Sequence, residues 1–422
     1  MWTYLSEWLQ FAVRWIHVVT AIAWIGSSFY FIALDLGLRR RRALPEGVSG
    51  EAWQVHGGGF YNMQKYTVAP DEMPDELTWF KWESYATWLS GAALLFLVYY
   101  VQADLFLIDP KVADLPVWGA SLIGIAGLGL GWIVYDLLCK SPLKENDTAL
   151  LAVLFVYVVA SSYLFSQVFS GRGAMLHTGA LIATIMTANV FLLIIPNQKI
   201  VVADLKAGRS PDPALGKAAK QRSLHNNYLT LPVVFLMLSN HYPLAFATEW
   251  NWAIAGLVLL MGAVVRHFFN TMHATGEKLW WCWPVAGILF TIVITLSGAP
   301  GWRSAGAGAG AGDESSQREW GGDPQYALAN SPHFEAAESI VLSRCSMCHA
   351  KEPLWPGMIH APKNVRLETP AEIVHYAALI ERQAVRSHAM PPGNVTGLEP
   401  AEREMLGRWL ADGAAPGLGR GL

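Results

Sequence analysis

The chain has 422 residues, of which 53% are hydrophobic and 15% charged, with a formal net charge of −3 and 19 tryptophans. That is too apolar and too tryptophan-rich for an ordinary soluble protein. Four cysteines, two of them isolated, exclude a disulfide framework; a net charge near zero says nothing about partners, and no nucleic-acid partner is expected.

Apolar runs near or above the roughly 20 residues needed to cross a bilayer lie at about 10–36, 84–101, 117–138, 149–169, 175–195, 229–247, 251–272 and 282–299. They predict eight membrane spans. The sixth is the least regular, because Pro232 and Pro243 interrupt it and Asn240-His241 lies near its outer end. The first is not a cleaved signal peptide: it lacks a basic leading region and a small-residue cleavage site, and it is too long. Charge sets the orientation. With the N-terminus outside, inward loops carry Arg39 to Arg42, Lys65, Lys81, Lys140, Lys144, Lys199, Lys206, Arg209, Lys217, Lys220, Arg222, Arg266 and Lys278. The outward side has only Arg14, Lys111, Arg172 and Arg303. An even number of spans returns the C-terminus to the outside.

Titratable groups at bilayer depth are costly, so each is a functional candidate. The histidines fall in two tiers: His17, His177 and His241 toward the outside, and His225, His267 and His273 inside, with His56 in the first inner loop. Arg14 and His17 are three apart and share a helix face, followed by Ala21, Gly26, Ser27 and Ser28, small enough for close packing or a flat cofactor. Two outer histidines could ligate a b-type haem between helices; equally, they could hydrogen-bond backbone or water. On the inner side Arg266, Asn270 and His273 share a face, next to His267. Asn226 opens the sixth span within Leu224-His225-Asn226-Asn227-Tyr228, and Glu83 lies just inside the second. His56-Gly57-Gly58-Gly59-Phe60 reads as a loop whose glycines allow close backbone approach. These residues predict a pocket for a planar, anionic, hydrogen-bonding molecule. The competing reading is an interface whose Arg and His side chains snorkel to headgroups.

Residues 303–328, rich in Ala and Gly, read as a flexible linker, and 329–415 as a small helical domain. Its last helix begins at Glu399-Pro400 and sets Leu406, Trp409 and Leu410 on one stripe. Cys345-Ser346-Met347-Cys348-His349 is the attachment signature of c-type haem: two thiols for thioether bonds and a proximal His349. Met390, beside Pro391 and Pro392, supplies the second axial ligand. Covalent haem attachment takes place outside the cytoplasmic membrane, in agreement with the charge pattern. Cys139 and Cys282 have no partner at ligand spacing. The expected fold is therefore all-α: an eight-span bundle over 1–302, then a cytochrome c domain.

Several stretches carry a family resemblance: Trp15-Ile16-His17-Val18, Ala23 through Phe31, His56 through Tyr61, Trp79-Phe80-Lys81-Trp82-Glu83, Asn226 through Pro232, Ser239 through Pro243, and Arg266 through Asn270. Over essentially its whole length the chain resembles the integral-membrane urate oxidases of bacteria, which fuse an eight-span domain to a C-terminal cytochrome c. The first-span spacing of His17 and Trp24 is also similar to that of membrane proteins that hold haem b. The family resemblance implies oxidation of urate to 5-hydroxyisourate, with electrons passed to haem c. The expected site residues are then Arg266, His267, Asn270, Glu83, Asn226 and His56, and the expected haem residues Cys345, Cys348, His349, Met390, His17, His177 and His241. The pocket could instead lie outside, near Arg14, His17 and His241. Expected partners are urate, membrane lipid and a downstream periplasmic cytochrome or terminal oxidase. The expected location is the bacterial inner membrane, with the N-terminus and tail periplasmic. Rival readings are an electron carrier fed by quinol and, without visible repeats, a transporter.

Overall fold

The computed structural model describes residues 2–40, 44–66, 74–110, 112–307, 324–355, 358, 361–362, 365–386 and 388–413. Arg41, Arg42, Lys111 and most of the expected linker, 308–323, lie outside the described residues.

The architecture is mostly helical. Helix α1 (Trp2–Gly37) is followed by a hairpin of β1 (Val48–His56) and β2 (Gly59–Tyr66). Then come α2 (Trp82–Leu94), continued by a π-helical turn Leu95–Tyr100, and α3 (Ala103–Phe106). Helices α4 (Val117–Lys140), α5 (Asp147–Ser166) and α6 (Gly171–Ala188) follow; a second π-helical turn, Asn189–Ile194, joins α6 to α7 (Ile195–Lys206). Helices α8 (Pro213–Ser239), α9 (Pro243–Phe246), α10 (Asn251–Thr275) and α11 (Cys282–Ala307) complete this part. Trp8–Gly37, Val117–Lys140, Asp147–Ser166, Gly171–Lys206 and Asn251–Thr275 are long and apolar enough to cross a membrane, and Cys282–Ser297 is a shorter apolar helix.

On two helices, α4 and α8, small and polar residues face inward. Helix α4 buries Ala120, Gly124, Gly131, Tyr135 and Asp136 and exposes Leu122, Ile125, Leu130 and Ile133. Helix α8 buries Arg222, His225, Asn226, Asn227 and Thr230. Small and polar residues inside, with leucines outside, are what helices packed in an apolar solvent require. Helix α6 is central, touching α2, α4, α5, α8 and α10, while α1 packs on α2, α8 and α10.

Helix α8 departs from the expected span. Pro232 stays inside it, tolerated because Gly262 of α10 leaves room: a Cβ there would lie 2.6 Å from the Pro232 ring. Asp212 caps its start, its side chain accepting from the Ala214 amide at 2.8 Å. The helix therefore begins well before the apolar run and stops at Ser239.

The hairpin corrects the expectation of a purely α fold with a loop at His56. His56 pairs with Gly59 across a two-residue turn. Gly57 and Gly58 have φ of 58° and 80°, the left-handed pair that a tight hairpin needs. Aromatic and β-branched residues at Trp53, Val55, Phe60 and Tyr61 supply strand preference. The hairpin lies along α1, where Tyr30 donates to Gln54 at 2.7 Å and Lys65 pairs with Asp35.

The tail folds around its own core. Helices α12 (Pro324–Ala329), α13 (Phe334–Arg344), α14 (Pro370–His375), α15 (Ala377–Ile380) and α16 (Pro400–Asp412) surround Val341, Ile373, Leu398, Leu406 and Trp409. The ends of the expected linker are helical, in α11 and α12. Arg344 clamps Glu402 at 3.0–3.1 Å, and the Trp409 indole donates to the Leu328 carbonyl at 3.0 Å.

Candidate functional site

Helices α1, α8 and α10 meet around one buried guanidinium. Arg266 donates through Nε to Asn227 Oδ1 at 3.3 Å and through a terminal nitrogen to Asn270 Oδ1 at 3.0 Å. Asn270 donates to the same Asn227 oxygen at 2.9 Å. The guanidinium lies 4.3 Å from the centre of the Phe29 ring on α1. Arg266 and Asn270 are one helical turn apart, so α10 alone fixes their spacing. Asn227 is fully buried, and both groups facing its oxygen are donors, which fixes the amide orientation. Its Nδ2 therefore points elsewhere, and it has no partner among the described residues.

A buried charge costs several kcal/mol unless it is matched. Arg266 is 6% exposed, and among the described residues it has no carboxylate partner. Arg222 supplies the contrast: 3% exposed, it pairs with Asp136 at 2.7 Å, donates to Asn189 at 3.1 Å and lies over the Tyr135 ring. Asp136 also pairs with Lys140 at 2.6 Å. Around this pair Asn189 donates to Tyr135 and Asn226 at 2.9 and 3.0 Å, and the Tyr135 hydroxyl meets His225 Nδ1 at 2.8 Å. In the second network the buried guanidinium has a carboxylate partner; in the first, among the described residues, it has amide oxygens only.

The expected site residues divide accordingly. Arg266 and Asn270 come together. Asn226 does not join them: it binds Asn189 and the Met186 carbonyl (2.9 Å) in the second network, and its neighbour Asn227, absent from the expected set, takes its place. His267 points away from the clamp, exposed, with its ring 6.1 Å from that of Trp281. His56 is exposed at the hairpin turn. Glu83 is half-buried in the first turn of α2. Adjacent residues on a helix project about 100° apart, which separates Arg266 from His267 and Asn227 from Asn226.

The outer histidines each have their own surroundings. His177 is fully buried, with Nδ1 on the Gly173 carbonyl at 2.8 Å and Nε2 on the Tyr100 hydroxyl at 3.2 Å. The Phe169 ring packs on it, tilted, at 4.6 Å, and a Cβ at Gly124 would lie 2.7 Å from its Nε2. That packing holds an imidazole and has no room for a macrocycle, so His177 does not fit a haem. His17, half-buried between α1 and α2, places Nδ1 at 3.0 Å from the Thr87 carbonyl and 3.1 Å from Ser90 Oγ. Among the described residues its Nε2 is unpaired, the arrangement of a ligand histidine oriented by its other nitrogen. His241 is exposed in the turn after α8.

In the tail, Cys345 closes α13 and the next turn brings Cys348 and His349 back to it, their amides donating to the Cys345 carbonyl at 3.1 and 3.0 Å. His349 Nδ1 meets the Val365 carbonyl at 2.9 Å, leaving Nε2 for a ligand. Burial lowers the imidazole pKa, opposed by that hydrogen bond. Burial pushes the Cys345 thiol up to about 12 and raises that of Cys348. Reactive dithiols have depressed pKa values, and both thiols here are shifted the other way. Met390 and Cys345 pack on one core. The residues present therefore fit a haem c. Arg403, which the sequence shows only as a helix residue, binds the Ala384 carbonyl, the Met390 carbonyl at 2.9 Å and Asn394 Oδ1 at 3.3 Å, and so holds the methionine loop.

Fold and site together define a mostly helical protein with several membrane-length apolar helices and a buried arginine–amide clamp. The profile of the urate oxidase N-terminal family matches residues 3–297, and the chain belongs to that family. No curated protein and no solved structure matches it.

Proposed function

We propose that the chain is a membrane-embedded oxidoreductase that oxidises urate to 5-hydroxyisourate and delivers the electrons to a haem c in its own tail. Family membership supports the substrate. The observation that carries the reading is Arg266, buried with no carboxylate partner among the described residues and set beside the Asn227 Nδ2 donor, which has no partner there either. Urate at neutral pH is a flat monoanion with alternating N–H and C=O groups. A guanidinium fork suits such an edge, and the Asn227 amide suits a ring carbonyl. The anion would neutralise Arg266 in place.

The overall step is urate plus water giving 5-hydroxyisourate, two protons and two electrons. Loss of the electrons makes C5 electrophilic, and water adds there. Arg266 holds charge on the purine through the step. Glu83, half-buried in the first turn of α2, or a neutral histidine would take up the protons.

Cys345, Cys348, His349 and Met390 would hold a haem c, which would accept the two electrons one at a time, being reoxidised between them. We assign a candidate b-type haem to His17 alone. In this reading α1, α2, α4, α5, α6 with α7, α8, α10 and α11 form eight spans of a bacterial inner membrane, with the N-terminus and tail outside. A periplasmic cytochrome or terminal oxidase then reoxidises the tail.

The test is anaerobic addition of urate to the oxidised full-length protein while the haem c band is followed. Reduction by urate is expected. No reduction overturns the proposal, and reduction by quinol alone would make the chain an electron carrier.

A further inference from the structure

We infer that the loop carrying Met390 is the surface by which the tail docks on the bundle, and that its seat is the segment Asp104–Asp109 at the outer end of α2 and α3. The inference rests on reading the tail as a haem c domain.

Gly393 is the contact point. Its φ is +54°, and a Cβ built there would lie 2.5 Å from the Ile108 carbonyl oxygen and 3.2 Å from that of Asp104. Only a hydrogen fits between these two backbones. Ala389, one residue before Met390, is 6% exposed and belongs to the apolar cluster of Phe246 and Val293, residues of α9 and α11. The turn Glu381–Arg386 touches α11 as well. Asp109 and Arg403 lie within electrostatic reach across the same contact, and the carboxylate favours the charged guanidinium.

Both halves of the contact are held firmly. Arg403 fixes the methionine loop from behind through Ala384, Met390 and Asn394. On the bundle, the Leu107 and Phe106 carbonyls accept from the Ser170 amide and hydroxyl, both at 2.8 Å, and Ser170 also caps α6. A rigid seat here would let electrons pass from the bundle to a haem held in the tail through the loop that carries Met390. Covalent linkage within one chain spares the encounter step that separate proteins need.

The test compares amide hydrogen exchange of residues 104–110 in the full-length protein with that of Gly393→Val and Asp109→Arg. Faster exchange is expected in both variants. Haem c reduction by urate should also slow on the order of ten- to a hundredfold, as expected when reacting partners are misplaced. The Met–iron charge-transfer absorption shows whether Gly393→Val keeps its axial ligand; Asp109→Arg acts from the bundle side and leaves the loop sequence intact. Unchanged exchange in both variants overturns the docking, whatever urate does. Faster exchange with wild-type reduction kinetics overturns the electron-entry role. Failure of urate to reduce the wild-type haem would instead overturn the proposed function, and the exchange data would still decide the docking.

Discussion

Asn226 and Asn227 are neighbours on α8 and serve different clusters. Asn227 accepts from Arg266 and Asn270, whereas Asn226 accepts from Asn189 and donates to the Met186 carbonyl. Replacing each by alanine should therefore give different phenotypes. Asn227→Ala should lower kcat/KM for urate roughly ten- to a hundredfold, the equivalent of about 1–3 kcal/mol, and should also lower the unfolding temperature, because Arg266 and Asn270 lose their shared acceptor. Asn226→Ala should lower the unfolding temperature and leave urate affinity in the surviving protein nearly intact. The reverse pattern would place the substrate in the second network.

Arg266→Ala should reduce urate turnover roughly a hundredfold or more, the loss typical of removing one partner of a buried charge-assisted pair. The haem spectra should be unchanged. Arg266→Lys keeps the charge but not the planar fork, so it should recover only part of the activity. Wild-type turnover in Arg266→Ala would remove the clamp from the mechanism.

Arg222 is the structural counterpart of Arg266. Arg222→Ala leaves Asp136 buried with Lys140 as its remaining partner, and should destabilise the bundle by about 3–5 kcal/mol. The double variant Arg222→Ala with Asp136→Ala should be less destabilised than the single one. Denaturation in detergent by heat reads both, and equal or greater loss in the double variant would contradict the pairing.

Acid should loosen the tail through Glu402. Burial pushes this carboxyl up, but hydrogen bonds from the Glu399 amide and Arg344, with the charges of Arg344 and Arg403, outweigh it and leave the pKa below the ordinary value. A depressed carboxyl contributes stability above its unfolded pKa of about 4.3, and that contribution is lost as pH falls through the lower folded value. Glu402→Gln should therefore be less stable than wild type at neutral pH and should converge with it below about pH 4. Parallel pH profiles for the two proteins would rule this out.

A b-type haem, if bound as proposed, depends on His17. His17→Ala should remove b-type bands from the pyridine haemochrome spectrum, whereas His177→Ala should keep them and cost stability, because His177 is bonded at both nitrogens. Removal of residues 303–422 should leave the same bands. Their absence from the wild-type protein would end the assignment.

The positions of the helices were open to reading from residues alone, because roughly 20 apolar residues in a row have one stable arrangement in a bilayer. Spacing along the chain likewise made Cys345, Cys348, His349 and Met390 candidates for holding a haem, and the fold brings Cys345, Cys348 and His349 into one turn. The pairing of Arg266 with Asn270 was legible for the same reason: one helical turn joins them. What the chain order could not carry was direction across helices. Rotation about α8 decided that Asn227, not Asn226, meets Arg266, and rotation about α10 sent His267 outward. The hairpin at His56 depends on two glycines entering left-handed geometry, and the seat of Gly393 on Ile108 joins segments nearly three hundred residues apart. Such contacts arise when packing fixes the rotation and depth of each element, and periodicity within one element contains neither.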